Sequence, residues 1–203
     1  MHPATAFLET DEARLLAELA AHPLVALFAA PQGRPLVAHA PAIARPLPNG
    51  LVLDFHLSRS NALSAFIEGG FPALAVSLAA EAYVSPDWYE AADQVPSWNY
   101  ITVEVEGPVA ALDDTGLIAL LDDLSAQEEA RLAPKPPWTR HKMSPGRFET
   151  MTKAIIGARL TVERLQGTAK LSQNKGEADR AGVIEALGDH PIGRRMAAIP
   201  PRS

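Results

Sequence analysis

The stretch "HLSRSN" gathers His56, Ser58, Arg59, Ser60 and Asn61 within six positions. A guanidinium beside two hydroxyls, an amide and the free N–H groups of a helix start makes a set that holds a phosphate through charge-assisted bonds. Helix capping by Ser58 or Ser60 explains one of these residues, though not all of them together with His56. A second cluster lies in "YVSPDWY" and "PSWNY". Tyr83, Trp88, Tyr89, Trp98 and Tyr100 include all three tyrosines and two of the three tryptophans, and they surround Asn99. Rings with adjacent donors suit a flat heteroaromatic ligand or a subunit contact that covers one. The same rings could equally plug the underside of a long loop. In "KLSQN", Lys170, Ser172, Gln173 and Asn174 stand between a strand and a helix, where they either project from a sheet end or cap that helix.

The elements that must position these groups are readable from periodicity. "TDEARLLAELAAH" predicts an amphipathic helix capped by Thr10. "PLVALFAA" and "LVAHAPAIA" read as a hairpin across the "PQGRP" turn, and "PNG" leads into "LVLDFHL". "SRSNALSAFIEGG" predicts a helix ending at Gly69-Gly70. "PALAVSLAA" is a strand, followed by about 20 aperiodic residues of the length that marks a functional loop. "ITVEVEGPVAAL" alternates as a strand, with Gly107 suggesting a bulge or barrel corner. Helices follow over "DDTGLIALLDDLSAQEEARL" and "SPGRFETMTKAIIG". "ARLTVERLQG" is a last strand and "KGEADRAGVIEALG" a last helix. Strands starting near 23, 35, 51, 72, 100 and 156, with helices inserted rather than alternating, favour a small β-barrel over a doubly wound sheet. The expected organisation is one domain over 1–190 and a tail over 191–203.

Several chemistries are excluded. With no cysteine, disulfides, thiolate metal sites and a cysteine nucleophile are absent. The sequence contains no GxGxxG after a strand, no P-loop, no HExxH and no GxSxG. The six histidines show no metal-ligand spacing. No stretch approaches the roughly 20 apolar residues of a membrane span, and the N-terminal residues lack the layout of a secretory signal, so cytoplasm is the expected location. The net charge of −6 and the lack of a helix-turn-helix signature give direct DNA contact little support. Charge is uneven, however. Residues 1–130 carry 18 acidic and 4 basic side chains, whereas 131–170 carry 9 basic and 2 acidic. That basic segment either meets an anion or balances the acidic part of the chain.

The motifs "YVSPDWY", "VPSWNY", "KLSQN" and "ADRAGVI", in this order and spacing, closely resemble those of the PaiB-type FMN-binding negative transcriptional regulators, over about residues 5–187. The resemblance implies an α+β, mainly β fold: a split β-barrel similar to pyridoxamine phosphate oxidase, working as a homodimer with FMN at the subunit interface. It points to His56, Ser58, Arg59, Ser60 and Asn61 as the flavin-phosphate segment. It also implies that Tyr83, Trp98, Asn99, Tyr100, Lys170, Ser172, Gln173 and Asn174 line the flavin cleft or the dimer contact over it, with His39 as a further contact. Two positions depart from the family pattern. His39-Ala40-Pro41 replaces His-Leu-Pro, and Ala169 stands where the family tends to carry an aromatic residue. Three functions remain open. They are a negative transcriptional regulator, a split-barrel oxidoreductase in which the flavin transfers the electrons, and an interaction module whose flavin pocket has decayed.

Overall fold

The computed structural model describes residues 4–199. Among them the strands are β1 (Leu8–Glu9), β2 (Leu24–Ala29), β3 (Leu36–Leu47), β4 (Gly50–Ser58), β5 (Phe71–Val84), β6 (Ser97–Ala111), β7 (Ile155–Thr161) and β8 (Arg164–Lys170). The α-helices are α1 (Glu12–Ala21), α2 (Asp114–Ala130), α3 (Arg147–Thr152), α4 (Glu177–Leu187) and α5 (Pro191–Ala198). Contacts divide the chain into two compact units. One comprises His22–Ser77 and Glu104–Arg164; the other comprises Leu78–Val103 with the described parts of 1–21 and 165–203.

The first of these is a closed, antiparallel, six-stranded barrel. β2 pairs with β3 from Leu24↔Pro41 to Ala29↔Leu36, and β3 with β4 from Ala42↔Phe55 to Leu47↔Gly50. β4 pairs with β7 from Val52↔Thr161 to Ser58↔Ile155, and β7 with the end of β6 from Ala111↔Ala158 to Val109↔Leu160. The start of β5 pairs with β2 and lies next to β6 in the strand order, which closes the ring. Alternation puts Val25, Leu27, Leu53, Phe55 and Leu160 inside, each contributing about 2 kcal/mol by burial. A ring of six strands has a narrow interior, and Ala38, Ala40, Ala42, Ala73, Ala75 and Ala158 keep it filled without crowding. α2 covers the barrel with Leu117, Leu120 and Leu124, its start capped by Asp113, which accepts from the Gly116 N–H at 2.7 Å.

β6 runs through Gly107 without a break. A Cβ there would sit 1.8 Å from the Thr161 carbonyl oxygen, so close backbone approach is what selects glycine. Gly107→Ala is therefore expected to destabilise the barrel by about 3 kcal/mol. Urea unfolding would register this as a lower midpoint at unchanged slope, and an unchanged midpoint would refute it.

One register pair also carries charge. Asp54 on β4, 2% exposed, faces Arg159 on β7 and accepts from its Nε and Nη2 at 2.7 and 2.8 Å. Arg45 Nε of β3 stands 3.1 Å from the same carboxylate. Three strands are thus clasped by one buried acid, and its hydrogen bond holds the Arg159 guanidinium above its ordinary pKa.

In the other unit β1 pairs with β8, and the strand order β1-β8-β6-β5 completes its sheet. Ala82, Val84, Ile101, Leu171, Val183, Ile192 and Met196 form its core. Inward positions of β5 switch from odd to even between Ser77 and Ala82, the change of face that a one-residue slip produces.

Several expectations need correction. Residues 58–70 are not an α-helix: β4 extends to Ser58 and only a five-residue 3₁₀ turn, Ala62–Phe66, follows. Asn61 Oδ1 takes the Leu63 N–H at 3.0 Å and Ser64 Oγ bonds the Ser58 carbonyl at 2.6 Å, so side chains compete for the backbone groups a helix would use. The cap of α1 is Asp11, which accepts from the Arg14 N–H, rather than Thr10. The helix expected through Gly157 stops at Thr152, and the β-branched Ile155 and Ile156 open β7. The expected last strand is two strands, β7 and β8. Residues 191–198, read as tail, are helical and bury Ile192 and Met196 completely; the last four residues lie outside those described.

Candidate functional site

The barrel unit holds one group of the residues singled out by sequence. The β4–β7 ladder ends at Ser58↔Ile155, and the Arg59 N–H then bonds the Ala154 carbonyl at 2.9 Å, which fixes the turn. Ser58 Oγ and Ser60 Oγ lie 2.8 Å apart, and the Ser60 N–H donates to Ser58 Oγ. Ser58, Arg59 and Ser60 are exposed, while Asn61 turns its carbonyl to the 3₁₀ cap. Arg59 and Lys153 line a groove of about 400 Å³ with Leu117, Thr152, Asp114 and Glu149. Neither cation forms an ion pair among the described residues. A planar guanidinium and an ammonium at one groove can together hold a tetrahedral oxyanion, with Ser58 and Ser60 next to Arg59 in the chain but not lining that groove. The short turn carries little of the dipole that a full helix would add.

His56 lies half-buried on β4 opposite Gly157, and its Nδ1 has no hydrogen-bond partner among the described residues. Burial pushes its pKa down, which favours the neutral ring. His39 stands apart. It is exposed on the outer face of β3, opposite Ala26. Its neighbour Ala40 is fully buried inside the barrel, so the departure at 40 falls on barrel packing.

The second group lies in the other unit. Tyr83 and Trp98 meet edge to face, 5.1 Å between centroids at 72°, and both are largely exposed. Tyr100 is half-buried and Asn174 exposed. Asn99 is 2% exposed, with Nδ2 donating to Ser172 Oγ at 2.9 Å and lying 3.3 Å from Met196 Sδ. Gln173 is likewise turned inward. Its Oε1 accepts from the Leu171 N–H at 2.7 Å and its Nε2 donates to the Ala169 carbonyl, closing the turn after β8. Ser172 holds a left-handed φ of 57°. Lys170 Nζ donates to Ser97 Oγ. Asn99, Ser172 and Gln173 therefore hold their own fold together, and Tyr83, Trp98, Lys170 and Asn174 keep accessible surface.

Sequence reasoning missed what "ADRAGVI" does. Buried Asp179 accepts the Glu90 and Ala91 N–H groups at 2.9 and 3.0 Å and so fixes the loop before β6. Arg180, 3% exposed, donates to the carbonyls of Leu171, Met196 and Ile199. Gly182 leaves room for the Trp88 carbonyl, 2.2 Å from where a Cβ would stand. No local pattern announces such a staple, because its acceptors are nine to nineteen residues away.

A closed antiparallel six-stranded barrel with attached helices gives the chain a split-barrel fold. Residues 1–164 match the family model described as "Putative FMN-binding domain". The chain belongs to this PaiB-type FMN-binding family, and with it comes a flavin cofactor, consistent with FMN. It is 29% identical to "Protease synthase and sporulation protein PAI 2" of Bacillus subtilis over 170 residues, 83% of this chain and 81% of that one. Among solved structures it resembles an FAD and heme binding protein from Mycobacterium smegmatis, with TM-score 0.59, 17% identity and coverage of 80% and 73% of the two chains. The flavocytochrome Anf3 from Azotobacter vinelandii gives TM-score 0.55 at 17% identity, over 89% of this chain and 78% of that one. These two likenesses establish the fold.

Proposed function

We propose that this chain is a homodimeric FMN-binding protein acting as a negative transcriptional regulator, with the flavin phosphate held at the end of β4. The observation that carries the flavin site is Arg59, exposed between Ser58 and Ser60 and facing, with Lys153, a groove in which neither cation has an ion-pair partner among the described residues. An unpaired guanidinium beside two hydroxyls fits a phosphate monoester. Bound there, FMN would supply redox chemistry, and this chain's part would be to grip the phosphate and to present His56 nearby on β4. Homodimerisation is supported by the outer face of the barrel. Leu24 (64% exposed), Phe28 (45%) and Val37 (53%) form an apolar stripe on β2 and β3, with Phe28 directly opposite Val37. Exposed apolar side chains grouped on one face in this way, around the exposed His39, suit cover by a partner.

The basic segment argues for regulation without extended DNA contact. Arg131 pairs with Glu128, Lys135 with Glu129, Arg140 with Asp122, Arg159 with Asp54 and Arg164 with Glu106. Cations already compensated in this way release few counterions on a phosphate backbone. Cytoplasmic location belongs to the same reading. Among the described residues no helix is long and apolar enough to cross a membrane.

A second reading, a flavin-dependent oxidoreductase, is favoured by His56, whose unpartnered Nδ1 is available for proton transfer. One experiment addresses both. The purified protein is expected to show flavin absorbance and to release FMN on denaturation, and protein that stays colourless after incubation with FMN would overturn the proposal. Addition of NADPH with turnover on an electron acceptor would select the enzyme; inertness would leave the regulator.

A further inference from the structure

The unit built on β1, β8, α4 and α5 contains a second candidate site, separate in residues from the Arg59 groove. A pocket of about 280 Å³ is lined by Lys170, Lys175, Ser97, Tyr89 and Asn174, with Phe7 and Val95 as apolar wall. Its floor is the buried amide of Asn99, hydrogen-bonded to Ser172. No carboxylate lines it among the described residues. Each lysine is already placed by one bond: Lys170 Nζ donates to Ser97 Oγ, and Lys175 Nζ donates to Gln94 Oε1 at 2.6 Å while lying 5.0 Å from the centre of the Tyr89 ring. An ammonium has three donors, so two on each remain for a ligand. Holding two like charges at one pocket without an acid is unfavourable, and the strain shows in Lys170, whose pKa is lowered by burial and by the charge of Lys175. A ligand with two negative charges removes that repulsion and satisfies the remaining donors.

We propose that the Lys170–Lys175 pocket binds a small organic dianion, a phosphate monoester or a dicarboxylate with a short apolar body, independently of the flavin. The lysines supply the charge, Ser97, Tyr89 and Asn174 the orienting hydrogen bonds, and Phe7 and Val95 the apolar contact. The volume admits a ligand of a few heavy atoms beyond the charged groups and excludes a dinucleotide.

The test uses the full chain, titrated with inorganic phosphate and separately with succinate at constant ionic strength in chloride, and read by thermal unfolding and calorimetry. The melting temperature is expected to rise with either dianion toward one-site saturation. Lys175→Gln is expected to weaken the response about tenfold or more, the effect of losing one charge-assisted contact. Lys175 is half-buried and holds no core residue, so this variant should fold; Lys170→Met is the second probe. Three results would each overturn the proposal: no rise beyond the chloride control, an equal rise in Lys175→Gln, or a rise abolished by saturating FMN. The last would make the pocket part of the flavin's own site, whereas a colourless protein that still binds succinate would sink the flavin reading and leave this one standing.

Discussion

Arg59→Ala is expected to yield a folded protein that retains FMN about tenfold to a hundredfold less tightly, the range that loss of a charge-assisted phosphate contact produces. The side chain is exposed and has no partner in the fold among the described residues, whereas the structural bond of this residue, N–H to the Ala154 carbonyl, belongs to the backbone and survives the substitution. Unfolding temperature in the absence of flavin should therefore be unchanged. Arg59→Lys keeps the charge but not the planar fork, and it should fall between the two. Fluorescence titration of the apo-protein with FMN measures all three. Equal affinity in Arg59→Ala would move the phosphate away from β4 and would leave the pairing of Ser58 and Ser60 as a turn device alone.

The largest effect on stability is expected from Arg180→Met. A buried guanidinium donating to three carbonyls ties the turn after β8 to α5. Methionine fills similar volume but leaves the Leu171 and Ile199 carbonyls without that donor in a site only 3% exposed, while the Met196 carbonyl keeps the Ile199 N–H. Each unsatisfied buried carbonyl costs about 1–3 kcal/mol, so a loss of about 2–5 kcal/mol follows from the two. The pattern of failure matters as much as its size. Limited proteolysis should cut first near Gly188–Asp189, where α5 joins α4, because α5 depends on Arg180 through Met196 and Ile199. Burial already lowers the pKa of this guanidinium, as expected for a cation held by dipoles rather than by an acid. A variant with wild-type unfolding and no new cleavage would show that the staple is dispensable.

How much was legible beforehand differs between the two units. Five of the six barrel strands were readable, and β7 only in its second half, because a half-buried strand prints its environment every second residue, as the alternating burial along β6 shows. The segment after β4 was misread as a helix because Ser and Asn side chains take backbone bonds that periodicity ignores. The long loop was overestimated at both ends, since Tyr83 and Val84 complete β5 and Ser97–Tyr100 begin β6. Loop composition extends into strands wherever a sheet end carries polar or aromatic residues.

The chain alone determined which groups are available: Arg59 with two hydroxyls, an aromatic cluster, a lysine-rich turn, and a barrel pattern to carry them. Only tertiary structure decided which of them face inward. Asn99 meets Ser172 across 73 positions, and Arg159 meets Asp54 across 105. Whether a polar side chain binds a ligand or its own backbone depends on burial and on such distant partners, and neither is written in local spacing. Lys170 and Lys175 belong to one pocket for the same reason: the turn fixed by Gln173 and the strand that carries Ser97 had to come together before two ordinary lysines could share a site.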